Sequence, residues 1–66
     1  MKNTVKVERA RANITQADLA EQINVSRQTI NAIESGKYVP SAVLALKIAK
    51  VFGVSVNDIF ELDEDD

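Results

Sequence analysis

The 66-residue sequence contains no cysteine and no histidine. Disulfide staples and the usual zinc ligand sets are excluded together, and with them the common nucleophile and base pairs of enzymes. Glycine occurs only at Gly36 and Gly53, and two isolated glycines cannot form a phosphate-cradling loop. Proline occurs once, at Pro40. No apolar run approaches the roughly 20 residues of a membrane span, and no apolar signal-peptide core precedes the charged stretch from Lys6 to Arg11. The expectation is a cytoplasmic protein with no membrane contact, no catalytic role, no cofactor and no metal. A chain this short holds one small domain, whose core supplies no more than about 3 to 5 kcal/mol unaided. Well-formed helix packing, a second copy, or both must do the stabilising.

The net charge of −2 is unevenly distributed. All eight basic residues lie at or before Lys50, whereas only Glu8, Asp18, Glu21 and Glu34 are acidic before Asp58, so residues 1–57 carry +4. The other six acids, Asp58, Glu61, Asp63, Glu64, Asp65 and Asp66, crowd into the last nine residues. This divides the chain into a mildly basic body, residues 1–60, and an acidic tail, residues 61–66, which has little reason to be ordered. The carboxylates do not follow a calcium-loop spacing.

Helical signals come in short, punctuated segments. Val5, Arg9 and Ala12 recur at helical spacing over residues 5–12, although Val5 and Val7 among polar neighbours also suit a short strand. Thr15 followed by Asp18 reads as a capping box opening a helix from Gln16 to Ile23, with Leu19 and Ile23 on one face. Ser26 caps a third helix, Arg27 to about Ser35, which buries Ile30 and Ile33 and stops at Gly36. The connection between these two helices is only Asn24 to Ser26, and Asn tolerates the left-handed conformation that such a turn demands. Ser41 caps a fourth helix reaching Phe52, with Ala45, Ile48, Ala49 and Phe52 as its apolar stripe and Gly53 as its stop. Ser55 and Asp58 repeat the capping pattern for a short fifth helix, Val56 to Phe60. The fold class expected is all-α, a compact five-helix bundle, with Val5, Val7, Ile59 and Leu62 as an alternative pair of short terminal strands.

Two short helices joined by a three-residue turn form a helix-turn-helix, whose second helix can lie in a DNA major groove. Ala20 supplies the small residue needed where the helices cross. With Ile30 and Ile33 turned inward, Arg27, Gln28, Asn31 and Ala32 are left facing outward. Arg can bond guanine O6 and N7, Gln or Asn can bond adenine N6 and N7, and Ala can touch a thymine methyl. Gln16 lies at the first turn of its helix, where a phosphate is favoured. Thr29 lies in the first turn of the third helix and Ser35, Lys37 and Tyr38 at or after its end, and each suits either a further backbone-phosphate contact or a plain solvated surface.

The run from Gln16 to Ser35, QADLAEQINVSRQTINAIES, resembles the lambda-repressor-like family of helix-turn-helix proteins, also called the Cro/C1-type or xenobiotic-response-element family. The resemblance rests on Thr15, Gln16, Leu19, Ala20, Val25, Ser26, Ile30, Ile33, Glu34, Gly36 and Lys37. It continues through Pro40, Ser41, Lys47, Ile48, Ala49 and Val54 as far as Phe60. Asn24 departs from the family's usual glycine. The resemblance implies a DNA-binding transcriptional regulator, a phosphate-clamping Gln16, and a salt bridge from Arg9 to Glu34.

One such domain makes few phosphate contacts, so specific affinity calls for a homodimer on a palindromic operator of double-stranded DNA. The expected dimer surface is Val39, Val54, Val56, Ile59, Phe60 and Leu62, more apolar than a tiny domain easily buries. Repression is the expected sign of regulation. On that reading the acidic tail either is a plain solvated end or repels DNA and limits non-specific binding. The rival reading is an antitoxin-like or adaptor module that uses the same bundle to hold a partner protein. Non-specific DNA packaging sits badly with a chain of net charge −2.

Overall fold

The computed structural model describes residues 1–66. In chain order the elements are β1 (Lys2–Asn3), α1 (Val5–Ala12), α2 (Gln16–Gln22), α3 (Arg27–Glu34), α4 (Ala42–Phe52), α5 (Val56–Ile59) and β2 (Phe60–Glu61). The five helices fall where the sequence places them, to within a residue at each end. The strand pair joins the two chain ends, but through other residues than expected. Lys2 pairs with Glu61 and Asn3 with Phe60, antiparallel. Val5 and Val7 lie in α1 instead, and Ile59 closes α5. A strand of Lys and Asn has no apolar alternation to announce it. It forms because β2 offers a free edge, and the Thr4 amide extends the ladder to the Ile59 carbonyl at 2.9 Å.

Local chemistry sets the helix boundaries. The Asp18 amide donates to Thr15 Oγ1 at 3.0 Å, and the Thr15 amide donates back to Asp18 Oδ2 at 2.9 Å, closing the box that starts α2. Ser26 Oγ accepts from the Thr29 amide and Ser41 Oγ from the Leu44 amide, both at 3.1 Å, starting α3 and α4. At α5 the Ser55 amide donates to Asp58 Oδ2 at 3.0 Å. Helix ends use left-handed residues. Asn13 ends α1 at φ 58°, and Asn24 turns the chain between α2 and α3 at φ 60°. Gly36 ends α3 at φ 78°, where the Lys37 amide reaches back to the Ala32 carbonyl at 2.9 Å.

The core is one cluster of twelve apolar side chains. Leu19 and Ala20 from α2, with Ile23 just past its end, meet Ile30 and Ile33 from α3, the most extensive helix–helix contact in the molecule. Leu44, Ala45, Ile48 and Ala49 of α4 pack beneath them, and Val5, Ile59 and Phe60 close the bundle from the chain ends. Phe52, expected in the α4 stripe, is only half-buried, and Leu44 takes its place deeper in the core. Ala12 is exposed despite its helical spacing from Val5. No helix is long and apolar enough to cross a membrane.

The tail is more ordered than expected. Glu61 belongs to β2, and Asp63 and Asp66 each place a carboxylate oxygen 3.1 Å from the Met1 ammonium. The Cα radius of gyration is 10.8 Å, matching the roughly 11 Å of a close-packed chain of this length. The acidic residues therefore fold back onto the bundle instead of trailing from it.

Candidate nucleic-acid interface

Ile30 and Ile33 are almost fully buried, and this fixes the rotation of α3 about its axis. Arg27, Gln28 and Asn31 stand exposed on the opposite side, and Ala32 is half-buried at its edge. None of the chain's side-chain hydrogen bonds or ion pairs engages Arg27, Gln28 or Asn31. Their donors and acceptors are free for an external partner.

The residues expected to flank this face gather around it. Gln28, Thr29, Ala32 and Tyr38 line one shallow hollow, and Gln28, Asn31, Ala32, Ser35 and Lys37 line the next. A third hollow brings Gln16 together with Arg27 and Arg9, although Gln16 and Arg27 open different helices. Two of the hydroxyls are already engaged. Thr29 Oγ1 lies 2.9 Å from Ser26 Oγ, and Ser35 Oγ donates to the Ala32 carbonyl at 3.2 Å. Lys37 and Tyr38 are exposed.

Beside this face lies a half-buried polar junction. Glu34 accepts from Arg9 through both carboxylate oxygens, Nε to Oε2 at 2.5 Å and Nη2 to Oε1 at 3.0 Å. Arg9 Nη1 also donates to the Ile14 carbonyl at 3.2 Å. The pair is screened from water, the side chains being 15% and 6% exposed. Burial pushes the Glu34 carboxyl up, yet donation from Arg9 and Gln16 and the attraction of Arg9 and Lys6 outweigh it and hold the group below the ordinary carboxylate range. The junction ties α1 to the end of α3, in agreement with the pairing that the resemblance implies. The N-terminal strand adds a second tie, because Asn3 Nδ2 donates to the Ile33 carbonyl at 2.8 Å.

Two features escape sequence reasoning. Gln16 Nε2 donates to Glu34 Oε1 at 3.1 Å across 18 residues of chain, a link that no local pattern announces. Val43 and Leu46 are 63% and 60% exposed, three residues apart on the outer side of α4, and Val39 in the loop before the helix is exposed as well. The spacing of Val43 and Leu46 is helical, but it runs beside a stronger inward stripe. The expected dimer surface needs correction: Ile59 and Phe60 are buried in the chain's own core and cannot meet a second copy. Short helix α5 turns them inward as β2 closes on β1. Val39 and Leu62 are exposed, and Val54 and Val56 are half-buried.

Comparison with known proteins agrees with this geometry. The helix-turn-helix family model matches residues 5–59. An uncharacterized HTH-type transcriptional regulator of Methanocaldococcus jannaschii is 59% identical over 66 residues, covering 100% of both chains. A Bacillus subtilis protein of the same description is 52% identical over 98% of both, and one from Archaeoglobus fulgidus is 47% identical over 100% of this chain and 93% of its own. Matched over nearly its whole length and built around an α2–turn–α3 unit with a free polar face, the chain belongs to the Cro/C1-type helix-turn-helix family of DNA-binding transcriptional regulators.

Proposed function

We propose that the protein is a sequence-specific repressor, acting in the cytoplasm as a homodimer on a palindromic double-stranded DNA operator. The observation that carries this reading is the outer face of α3. Arg27, Gln28 and Asn31 are exposed together and have no partner within the chain, while the same helix is anchored by Ile30 and Ile33. A rigid helix with unspent bidentate donors and acceptors suits base edges in a major groove. Gln16, Thr29, Ser35, Lys37 and Tyr38 surround that face and would take the phosphates on either side.

Residues 1–60 are the binding domain in this proposal, and the acidic tail is a counterweight that limits non-specific attraction to DNA. Pairing uses the apolar side chains left outside the core: Val39, Val54, Val56 and Leu62, joined by Val43 and Leu46. A small domain seated in the groove acts by excluding other proteins, which favours repression.

Selection of bound duplexes from a random DNA pool tests this. The expected result is an enriched two-fold symmetric motif whose half-site centres lie about 34 to 36 Å apart. Failure to enrich any motif would remove the reading. The protein-interaction alternative makes the opposite forecast: Arg27→Ala and Gln28→Ala would leave DNA binding intact and abolish capture of a protein partner.

A further inference from the structure

We propose that Glu34 is a positioning residue for the DNA-phosphate clamp, holding the Gln16 side-chain amide in its binding orientation before DNA arrives. The inference rests on the reading of Gln16 as a phosphate contact and adds what prepares it. A carboxylate beside a surface meant for phosphates is electrostatically adverse, so its presence at the end of α3 calls for a reason. The geometry supplies one. Glu34 Oε1 receives both Arg9 Nη2 at 3.0 Å and Gln16 Nε2 at 3.1 Å, and Oε2 receives Arg9 Nε. Arg9 neutralises the charge and fixes the carboxylate, and the fixed carboxylate then orders the glutamine.

A carboxylate only accepts, so Gln16 must present Nε2 to it and not Oε1. That choice decides which atoms of the amide remain. One Nε2 hydrogen is committed to Glu34, and the second is left as a donor at the hollow that Gln16 shares with Arg9 and Arg27. A phosphate oxygen, itself only an acceptor, matches that donor. Glutamine has three rotatable side-chain bonds, and ordering them in the free protein removes an entropic penalty from the binding step. The carboxylate that links α1, α2 and α3 thus also prepares the clamp.

Two measurements on the full chain test this. In the free protein, 15N relaxation of the side-chain amides should show Gln16 more ordered than the exposed Gln22 and Gln28; equal mobility would overturn the proposal. On the duplex selected from the random pool, Gln16→Ala should weaken binding roughly tenfold, as expected for loss of a bond to a charged group. In a Glu34→Ala background, which removes the acceptor, the same change should cost less than about twofold, because the clamp is already released. Glu34→Asp, which keeps the charge but withdraws it, replaces Glu34→Ala if thermal melting shows that variant unfolded. An undiminished tenfold effect in the second background would overturn the proposal. So would a silent Gln16→Ala while Arg27→Ala still weakens binding, an outcome that leaves the DNA reading intact. If both are silent, the assignment of the α3 face to DNA is lost along with the clamp.

Discussion

Arg27, Gln28 and Asn31 have no side-chain partner within the chain, whereas Arg9, Gln16 and Glu34 hold one another. The first set should behave as readers, and Arg9 and Glu34 of the second as framework for Gln16. Replacing Gln28 or Asn31 by Ala should remove about 1 to 3 kcal/mol of discrimination at one base pair each, measured by competition among duplexes differing at single positions. Lys37→Ala should instead weaken binding evenly across sequences and lower the slope of log affinity against log salt by about 1. Glu34 makes a different forecast. Its folded-state pKa is depressed, so its contribution to stability is complete above the unfolded value of about 4.3 and is lost as pH falls through the folded value. Glu34→Gln should therefore be about 2 kcal/mol less stable than wild type at neutral pH, with the gap narrowing in acid. A gap independent of pH in urea titrations would contradict the assignment.

The elements owe their limits to a few local decisions. Gly36 sits at φ 78° with no atom beyond its own chain neighbours within 4 Å of where a Cβ would be, so Gly36→Ala meets only backbone strain, about 1 kcal/mol. Ser26→Ala leaves the Thr29 amide without its cap and should cost about the same. Urea midpoints falling with unchanged slope would establish both; full stability of Gly36→Ala would show that the end of α3 is not held in the left-handed region. These decisions were legible in the sequence because capping and helix termination act over four or five residues. Ser26, Ser41 and Thr15 each announced a helix, and Ile30 with Ile33 fixed the rotation that frees Arg27 and Gln28. What stayed hidden depends on distant partners. Lys2–Asn3 becomes a strand only when Phe60–Glu61 lies beside it, and Phe60 is buried only because that pairing closes the bundle. Gln16 bears on Glu34 only after α2 and α3 have packed.

At the scale of the whole molecule, twelve apolar side chains form the only core, and Val39, Val43 and Leu46 remain exposed outside it. A domain this small gains from a second copy both in stability and in the number of phosphate contacts. Sedimentation at micromolar concentration should therefore report a dimer, and Leu46→Glu, at an exposed position, should return a folded monomer. A monomeric wild-type protein would count against pairing in the absence of DNA. The central claim concerns the α3 face, and repeating the random-pool selection with Arg27→Ala tests it most directly. The account predicts that one position in each half-site loses its base preference while the remaining positions keep theirs. An unchanged motif, or an equal loss of preference at every position, would contradict it and place Arg27 outside the reading of bases.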